Sequence, residues 1–236
     1  MTGSHLKAAA ALAVLGALCA RPCFAQVSDD DRGKFAPLPR LFEALDAKPG
    51  ARIADVGSGD GFYTLQLARA VAPGGRVTAT DIDPEALGKL KKHIETEKLD
   101  NVDVVLGRTD DPLLEPDTFD AVLIRNAYHE MTEHESILRH VREALKLGGR
   151  LVVAEKIRER SRRLSRKEQV AAHEIVSDIV VSELLAAGFE IRRRDESFDP
   201  LTETENPGGY WLIVAVKPRA IPTDQFNPFS ADMRRE

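Results

Sequence analysis

Short hydrophobic runs alternate with amphipathic segments along most of the chain, and glycine or an Asp-Pro pair separates many of them. The runs predict seven strands, at residues 51–56, 76–81, 102–106, 119–125, 149–156, 189–194 and 210–216. Apolar residues at helical spacing predict helices at residues 37–45, 61–71, 84–97, 133–146 and 165–187. This alternation predicts an α/β fold with a doubly wound, mainly parallel, seven-stranded sheet and helices on both faces.

The first 25 residues differ in composition from the rest of the chain. An apolar run at residues 8–20 is too short to cross a bilayer as a helix, and Cys23 and Ala25 fit the small-residue positions before a cleavage site. We therefore expect a signal peptide at residues 1–25, export to the periplasm and no stable membrane span in the mature protein, with cytoplasmic retention as the alternative. Three further segments are expected: a polar linker (26–36), one domain (37–217) and an irregular tail (218–236).

Composition narrows the classes of protein further. With 43% hydrophobic and 30% charged residues, the chain has the make-up of a soluble globular protein. Its formal net charge of -5 disfavours a nucleic-acid partner, because nucleic-acid binders usually carry a basic surplus that neutralises phosphates. Both cysteines, Cys19 and Cys23, belong to the predicted signal peptide, so the mature protein is expected to have no disulfide, cysteine nucleophile or cysteine metal ligand.

The segment after the first predicted strand is rich in glycine. It reads Asp55-Val56-Gly57-Ser58-Gly59-Asp60-Gly61 and opens the first long helix. Glycine lets the backbone turn sharply and approach a ligand at the carboxyl ends of parallel strands, although tight turns also use it for steric reasons alone. A dinucleotide-binding fingerprint would need its third glycine at position 62, which is Phe62 here. The loop predicts a ligand site that differs from that of nicotinamide-dependent enzymes.

An acidic residue, Asp81, ends the second predicted strand. It follows the glycine loop by about twenty residues, the separation at which an acid can accept hydrogen bonds from both hydroxyls of a ribose. The alternative is that a strand-end acid caps the next helix, but Asp83 before Pro84 already fits that cap. The loop and Asp81 together predict nucleoside binding.

These motifs resemble those of the class I S-adenosylmethionine-dependent methyltransferases. The matching segments are the first motif at residues 55–61, the ribose acid Asp81, the fourth strand at residues 119–124 and the Leu-Lys-Leu-Gly-Gly-Arg-Leu turn at residues 145–151. The likeness extends from about residue 37 to residue 218. The strand at residues 210–215 and the Tyr128-His129 pair are similar to a group of bacterial members that are often exported.

The resemblance implies a Rossmann-like fold, S-adenosylmethionine as cofactor and methyl transfer to an unidentified, small-molecule acceptor. The cofactor contacts that it implies are Asp55, Gly57, Ser58, Gly59, Gly61, Asp81, Ile82, Asp110 and Asn126. The chain departs from the family pattern at one point. Where members often have an acid after the third strand to reach the adenine amino group, this chain has Arg108, so Asp110 or a backbone group is expected there.

Three residues after the fourth strand are candidates for chemistry. His129 can accept a proton near neutral pH, Glu130 can orient it, and Tyr128 can stack or donate a hydrogen bond. The competing interpretation is that His129 caps a helix and packs against the pocket. His173 and Glu174, on the predicted helix at residues 165–187, are expected to be surface or lid residues. His129 and His173 with their neighbouring glutamates could suggest a metal, but no local His-x-x-x-His pair supports one, and no metal site is predicted.

Two other functions stay open at this point. A module of the same fold can bind the nucleoside without catalysis, and a nicotinamide-dependent oxidoreductase is less consistent with the glycine spacing. Neither the acceptor nor the oligomeric state follows from the sequence.

Overall fold

The computed structural model describes residues 38–198 and 209–219. The predicted signal peptide and linker, and all but the start of the predicted C-terminal tail, lie outside these residues and stay predictions. Within the described part of the chain, no helix has both the length and the hydropathy that a membrane crossing requires.

Seven strands and six helices alternate through the described residues. The strands are β1 Arg52–Val56, β2 Arg76–Asp81, β3 Val102–Leu106, β4 Phe119–Arg125, β5 Leu145–Lys156, β6 Glu190–Asp195 and β7 Tyr210–Val216. The helices are α1 Leu38–Leu45, α2 Phe62–Val71, α3 Pro84–Glu97, α4 His134–Ala144, α5 Arg166–Ala171 and α6 Ser177–Ala186, and a 3₁₀ turn at Tyr128–Glu130 follows β4.

The seven strands form one sheet in the order β3-β2-β1-β4-β5-β7-β6. Strands β1 to β5 are parallel, and β7 is antiparallel to both β5 and β6. The predicted doubly wound, mainly parallel sheet is therefore confirmed. The order reverses between β1 and β4, and ligands of such sheets bind at the carboxyl ends of the strands beside that reversal. The glycine loop after β1 and the 3₁₀ turn after β4 both lie there.

Helices cover both faces of the sheet, and each face has its own core. On one face, Leu138 and Val180 from α4 and α6 pack against alternate residues of β5, including Val153. On the other face, Leu41 and Leu67 from α1 and α2 pack against the intervening residues of the sheet. Because the central strands are buried on both faces, they are continuously apolar, as parallel strands usually are.

The prediction of a single helix at residues 165–187 is wrong. Two helices, α5 and α6, occupy this stretch, and residues 172–176 separate them. His173 has a left-handed φ of 55°, which ends the first helix. The buried side chain of Gln169 holds the break, since its Oε1 accepts a 2.8 Å hydrogen bond from the amide of Val176. Here the oxygen of a side-chain amide takes the place of a helical carbonyl as hydrogen-bond acceptor. The break therefore needs no glycine or proline, and no such residue marks it in the sequence.

The boundary between α4 and β5 also differs from the prediction. The helix predicted at residues 133–146 ends at Ala144, and β5 begins at Leu145 instead of at residue 149. Leu145 pairs with Phe119 at the start of β4, and the register of the two strands shifts between Phe119 and Ala121. With this bulge, β5 includes residues that the sequence pattern assigns to the end of the preceding helix and to the turn after it.

Candidate functional site

The glycine loop takes backbone conformations that other residues disfavour. Gly57, Gly59 and Gly61 have φ angles of 75°, 56° and 94°. A Cβ atom on Gly57 would lie 2.4 Å from the Cβ of Ala127, and one on Gly61 would lie 2.1 Å from Leu90 Cδ1. Two of these glycines are thus required by close packing against the turn after β4 and against α3. Around Gly59, no atom lies within 4 Å of the Cβ position among the described residues, so that position faces open space.

Asp81 ties the end of β2 to the glycine loop. Its Oδ2 accepts a 2.8 Å hydrogen bond from the amide of Gly59, and its Oδ1 accepts one of 2.9 Å from the amide of Asp83. Asp83 caps α3 as predicted, because its Oδ1 accepts the amide of Glu85 at 2.8 Å. Each oxygen of a carboxylate has two lone pairs, so Asp81 keeps acceptor capacity for two further donors.

A cavity of about 280 Å³ opens between these elements, at the carboxyl ends of the strands. Among the described residues, its lining comprises Val56, Gly57, Gly59, Thr80, Asp81, Ile82, Gly107, Arg108, Thr109, Pro112, Asn126, Ala127, Glu130, Met131, Thr132 and Ile137. Six predicted site residues are brought together here: Gly57, Gly59, Asp81, Ile82, Asn126 and Glu130. The Ile82 side chain is 58% exposed, so an apolar surface is available for a flat ring such as adenine.

Three predicted cofactor contacts lie elsewhere. Ser58 and Gly61 do not line the cavity, and Gly61 instead packs on α3. Asp110 is exposed and lies outside the lining, which at this point is formed by Arg108 and Thr109. The loop after β3 presents the residues before Asp110 to the cavity, which favours the backbone alternative for the adenine contact; the contact of Asp110 stays a prediction.

Asp55 is buried beneath the loop and does not line the cavity. Its exposed fraction is 3%, and its Oδ2 accepts a 2.7 Å hydrogen bond from the hydroxyl of Thr64 in the first turn of α2. Burial raises the pKa of Asp55 to about 6, and the negative charge of Asp81 contributes in the same direction. Asp55 joins the end of β1 to the start of α2, and its direct contact with the cofactor stays a prediction.

The raised pKa of Asp55 makes a testable contribution to stability. A carboxyl whose folded pKa lies above its unfolded value stabilises the fold fully below about pH 4, and the contribution is lost as pH rises through about 6. In thermal unfolding from pH 4 to pH 7, the wild type should therefore lose stability relative to Asp55→Asn, by on the order of 3 kcal/mol. A difference between the two proteins that stays constant over this range would contradict the assignment.

Tyr128 is buried away from the cavity. Its side chain has no exposed surface, and its hydroxyl donates a 2.8 Å hydrogen bond to Oε2 of Glu183 on α6. Burial and the neighbouring Glu183 charge raise the pKa of Tyr128 well above its usual range. The ring connects the 3₁₀ turn to α6 and does not line the cavity, and a part for Tyr128 in the chemistry stays a prediction.

His129 is held by a carboxylate that the sequence analysis missed. The fully buried Glu155, near the end of β5, has Oε2 2.8 Å from Nδ1 of His129, and its Oε1 accepts the amide of Tyr128 at 2.7 Å. Glu155, and not Glu130, is therefore the orienting group. Because Nδ1 faces Glu155, Nε2 is the ring atom left for a proton or a ligand. An acid inside the apolar run of β5 was the signal in the sequence.

Glu130 and His173 complete a polar corner at the mouth of the cavity. Oε1 of Glu130 lies 3.6 Å from Nε2 of His129 and 3.4 Å from Nδ1 of His173. The sequence considered alone offered His129, His173 and their neighbouring glutamates as a possible metal set, but no metal was predicted because the histidines form no local pair. The 3₁₀ turn after β4 and the break between α5 and α6 bring these residues together. The cavity thus has a nucleoside side at Asp81 and a reactive side at Glu130, and the buried His129, which does not itself line the cavity, lies behind Glu130.

Residues 47–208 match the family model described as a methyltransferase domain. The match covers more than half of the chain. This chain belongs to the methyltransferase domain family. The predicted methyltransferase family is confirmed by this match, and the solved structures below confirm the predicted Rossmann-like fold.

Individual relatives agree with this family assignment. Demethylmenaquinone methyltransferase of Bacillus cytotoxicus is 29% identical over 111 residues, which are 47% of each protein. A 37.1 kDa protein of a Streptomyces fradiae transposon is 34% identical over 49% of this chain and 33% of its own length. This chain thus spans less than half the length of each of these curated relatives.

Solved structures share the fold across most of the methyltransferase domain. An S-adenosylmethionine-dependent methyltransferase from Aquifex aeolicus superposes with a TM-score of 0.66 at 22% identity, over 80% of this chain and 93% of that one. The [4+2]-cyclase SpnF superposes with a TM-score of 0.65 at 21% identity, over 77% and 80%. The second structure shows that proteins of this fold include one described by a different chemistry, so activity has to be argued from the site.

The close packing of Gly57 predicts that a substitution there impairs both stability and cofactor binding, unlike a substitution elsewhere in the fold. Gly57→Ala places a methyl group against Ala127 and in a left-handed conformation, which together should cost about 2–4 kcal/mol of stability. Binding of S-adenosylhomocysteine, followed by calorimetry, should weaken more than tenfold. Gly88→Ala on α3 is the matched control, because nothing lies within 4 Å of its Cβ position among the described residues. Equal behaviour of the two variants would refute the role of Gly57.

Proposed function

We propose that this protein transfers a methyl group from S-adenosylmethionine to a small-molecule acceptor. One observation carries the proposal: a single cavity joins the nucleoside side, with Gly57, Gly59 and Asp81, to the reactive side, with Glu130. A protein that only binds a nucleoside has no need of the buried Glu155–His129 pair behind that reactive side.

The residues present fit the cofactor. Gly59 leaves open space beside the carboxylate of Asp81, which retains acceptor capacity for the two ribose hydroxyls. Ile82 supplies an apolar surface for the adenine, and the backbone of Gly107 to Thr109 borders the same side of the cavity. When bound, S-adenosylmethionine supplies a methyl group already activated on a sulfonium.

The remaining task of the protein is to position the acceptor and exclude water. Ala127, Met131 and Ile137 give the reactive end of the cavity apolar walls. Next to them, Glu130 and the Nε2 atom of His129 provide polar groups for an acceptor that must lose a proton. Asn126 has a left-handed φ of 52° and lines the cavity between the two sides. A non-glycine residue in this conformation is a feature that clusters at functional sites.

A small molecule is the acceptor class that these features support best. The chain has a net charge of -5 and therefore lacks the basic surplus expected of an RNA or DNA methyltransferase. The Bacillus relative is named for a small-molecule acceptor, demethylmenaquinone. The cavity of about 280 Å³ is just smaller than the roughly 300–1,000 Å³ of most small-molecule sites.

The proposal is tested with methyl-labelled S-adenosylmethionine and a cell extract separated into small molecules, lipids, RNA and protein. Label should appear in the small-molecule or lipid fraction with wild-type protein and fall to background with Asp81→Ala. Label in RNA or protein would contradict the acceptor class. Binding of the cofactor without transfer to any fraction would support the alternative of a binding module without catalysis.

A further inference from the structure

Three side chains with metal-binding atoms meet beside the cavity, where Glu130 belongs to the lining and His129 and His173 do not. One ligand atom from each of His129, Glu130 and His173 lies within 4.8 Å of the other two. In a tetrahedral zinc site, bonds of about 2.0–2.1 Å place neighbouring ligand atoms roughly 3.3 Å apart. The separations of 3.6 Å and 3.4 Å from Glu130 Oε1 to the two imidazoles are close to that value. One ion can therefore contact all three residues after small side-chain movements.

The environment of His129 is that of a metal ligand. Metal-binding histidines usually donate their second ring N–H to a carboxylate, which fixes the tautomer and aims the free nitrogen at the metal. Glu155 fills this part, with its Oε2 2.8 Å from Nδ1 of His129 and with no exposed surface. The atom left over, Nε2, is the one that faces Glu130.

The backbone of His173 is held in an uncommon conformation that brings its ring to Glu130. Its φ of 55° is left-handed, and its amide donates a 2.9 Å hydrogen bond to the carbonyl of Val170. The next residues anchor the segment, since the buried Glu174 pairs with Arg158 at 2.9 Å and the indole of Trp211 donates to the carbonyl of Ile175 at 2.8 Å. The break between α5 and α6 thus presents His173 on a braced segment.

Ordinary ion pairing accounts poorly for this convergence. The side chains of Glu130 and His173 are 66% and 69% exposed, and exposed pairs of this kind contribute little to stability. Exposure on that side instead leaves coordination positions open to water or to an acceptor, as in catalytic metal sites with three protein ligands.

We propose that His129 Nε2, Glu130 and His173 Nδ1 bind one divalent transition-metal ion, of the Zn²⁺ class, beside the cofactor cavity. Two imidazoles and one carboxylate suit such ions better than Ca²⁺ or Mg²⁺, which take mainly oxygen ligands. The ligand set itself does not depend on the proposed function.

What the ion does there rests on the proposed methyl transfer. A hydroxyl group of the acceptor bound to the ion loses its proton to solvent more readily. Its oxygen then forms the new bond to the methyl carbon as the carbon–sulfur bond breaks, and the electron pair of that bond stays on sulfur to give S-adenosylhomocysteine. The acceptor class is accordingly a small molecule with a hydroxyl group that can coordinate a metal.

Cobalt binding tests the site directly. The full chain, without a histidine tag and dialysed against a chelator, is titrated with Co²⁺ while the visible absorption is recorded, and Zn²⁺ is added in competition. We expect one equivalent of Co²⁺ to bind with the bands of a four- or five-coordinate site, and Zn²⁺ to displace it. His173→Ala and Glu130→Gln should each lower the affinity at least tenfold, because each removes one of three ligands.

His93→Ala is the control, since it removes an exposed imidazole on α3 and should leave Co²⁺ binding unchanged. Absence of a stoichiometric site, or equal affinity of His173→Ala and the wild type, would overturn the metal proposal. S-adenosylhomocysteine binding is measured on the same metal-free samples. If it is retained while metal binding is absent, only the metal site fails; if it is lost as well, the proposed function fails with it.

Discussion

Asp81→Ala should weaken the binding of S-adenosylhomocysteine by about 1–3 kcal/mol, which is roughly 5- to 150-fold, while the protein remains folded. The carboxylate is the one acidic group among the described residues that both lines the cavity next to the glycine loop and bonds to it. Its loss leaves the ribose hydroxyls without their acceptor and frees the amide of Gly59. Calorimetry gives the affinity directly.

Asp83→Ala is the matched control for Asp81→Ala. Asp83 lies two residues further on, caps α3 through the amide of Glu85 and does not line the cavity. Loss of that cap should lower the melting temperature with little change in affinity. If Asp81→Ala binds as tightly as the wild type, the ribose assignment is wrong.

His129→Ala should reduce the methylation rate by about 10²-fold or more, with little effect on cofactor affinity. The histidine follows β4 and lies 3.6 Å from Glu130, which lines the cavity, whereas the ribose acid lies at the end of β2. Glu155→Gln keeps the shape of the buried carboxyl group but removes the charge that orients the ring, and should reduce the rate at least tenfold. Rates are measured at saturating cofactor.

Three outcomes for His129→Ala are distinguishable. A lower rate with unchanged S-adenosylhomocysteine binding supports a part in the reaction. Weaker cofactor binding with a normal rate at saturation would make His129 a wall of the pocket. A lower melting temperature alone would make it a structural residue, as its 2% exposure also permits. His93→Ala should change none of these quantities.

The fold and the nucleoside side of the cavity could be predicted because local requirements of the backbone determine the residues that form them. The central strands are apolar on both faces because helices cover both, and this leaves a run that is readable in the sequence. Gly57 is glycine because Ala127 lies against it, and Asp81 is free to face the cavity because Asp83 caps the helix. The glycines and acids that mark these features stand in short sequence motifs, although the contact of Gly57 with Ala127 joins distant segments.

The reactive side of the cavity depends on contacts between segments that are far apart in the sequence. Fewer of its contacts could therefore be predicted from the sequence. Glu155 on β5 bonds to His129, which follows the neighbouring strand β4. His173 lies beside Glu130 because the chain breaks between α5 and α6, and the side chain of Gln169 maintains that break. Asp55 has the position expected of a ligand contact in the motif, yet it bonds to Thr64 beneath the loop. Such pairings follow from the packed fold, and the sequence marks only Glu155, as an acid inside the apolar run of β5.

The most direct test of the central claim is calorimetric titration of the full chain with S-adenosylhomocysteine and, in parallel, with NAD. The account predicts one binding site for S-adenosylhomocysteine and no comparable binding of NAD, because the glycine spacing at Gly57, Gly59 and Gly61 and the position of Asp81 suit the former. Tight binding of NAD, or no binding of S-adenosylhomocysteine to correctly folded protein, would contradict it.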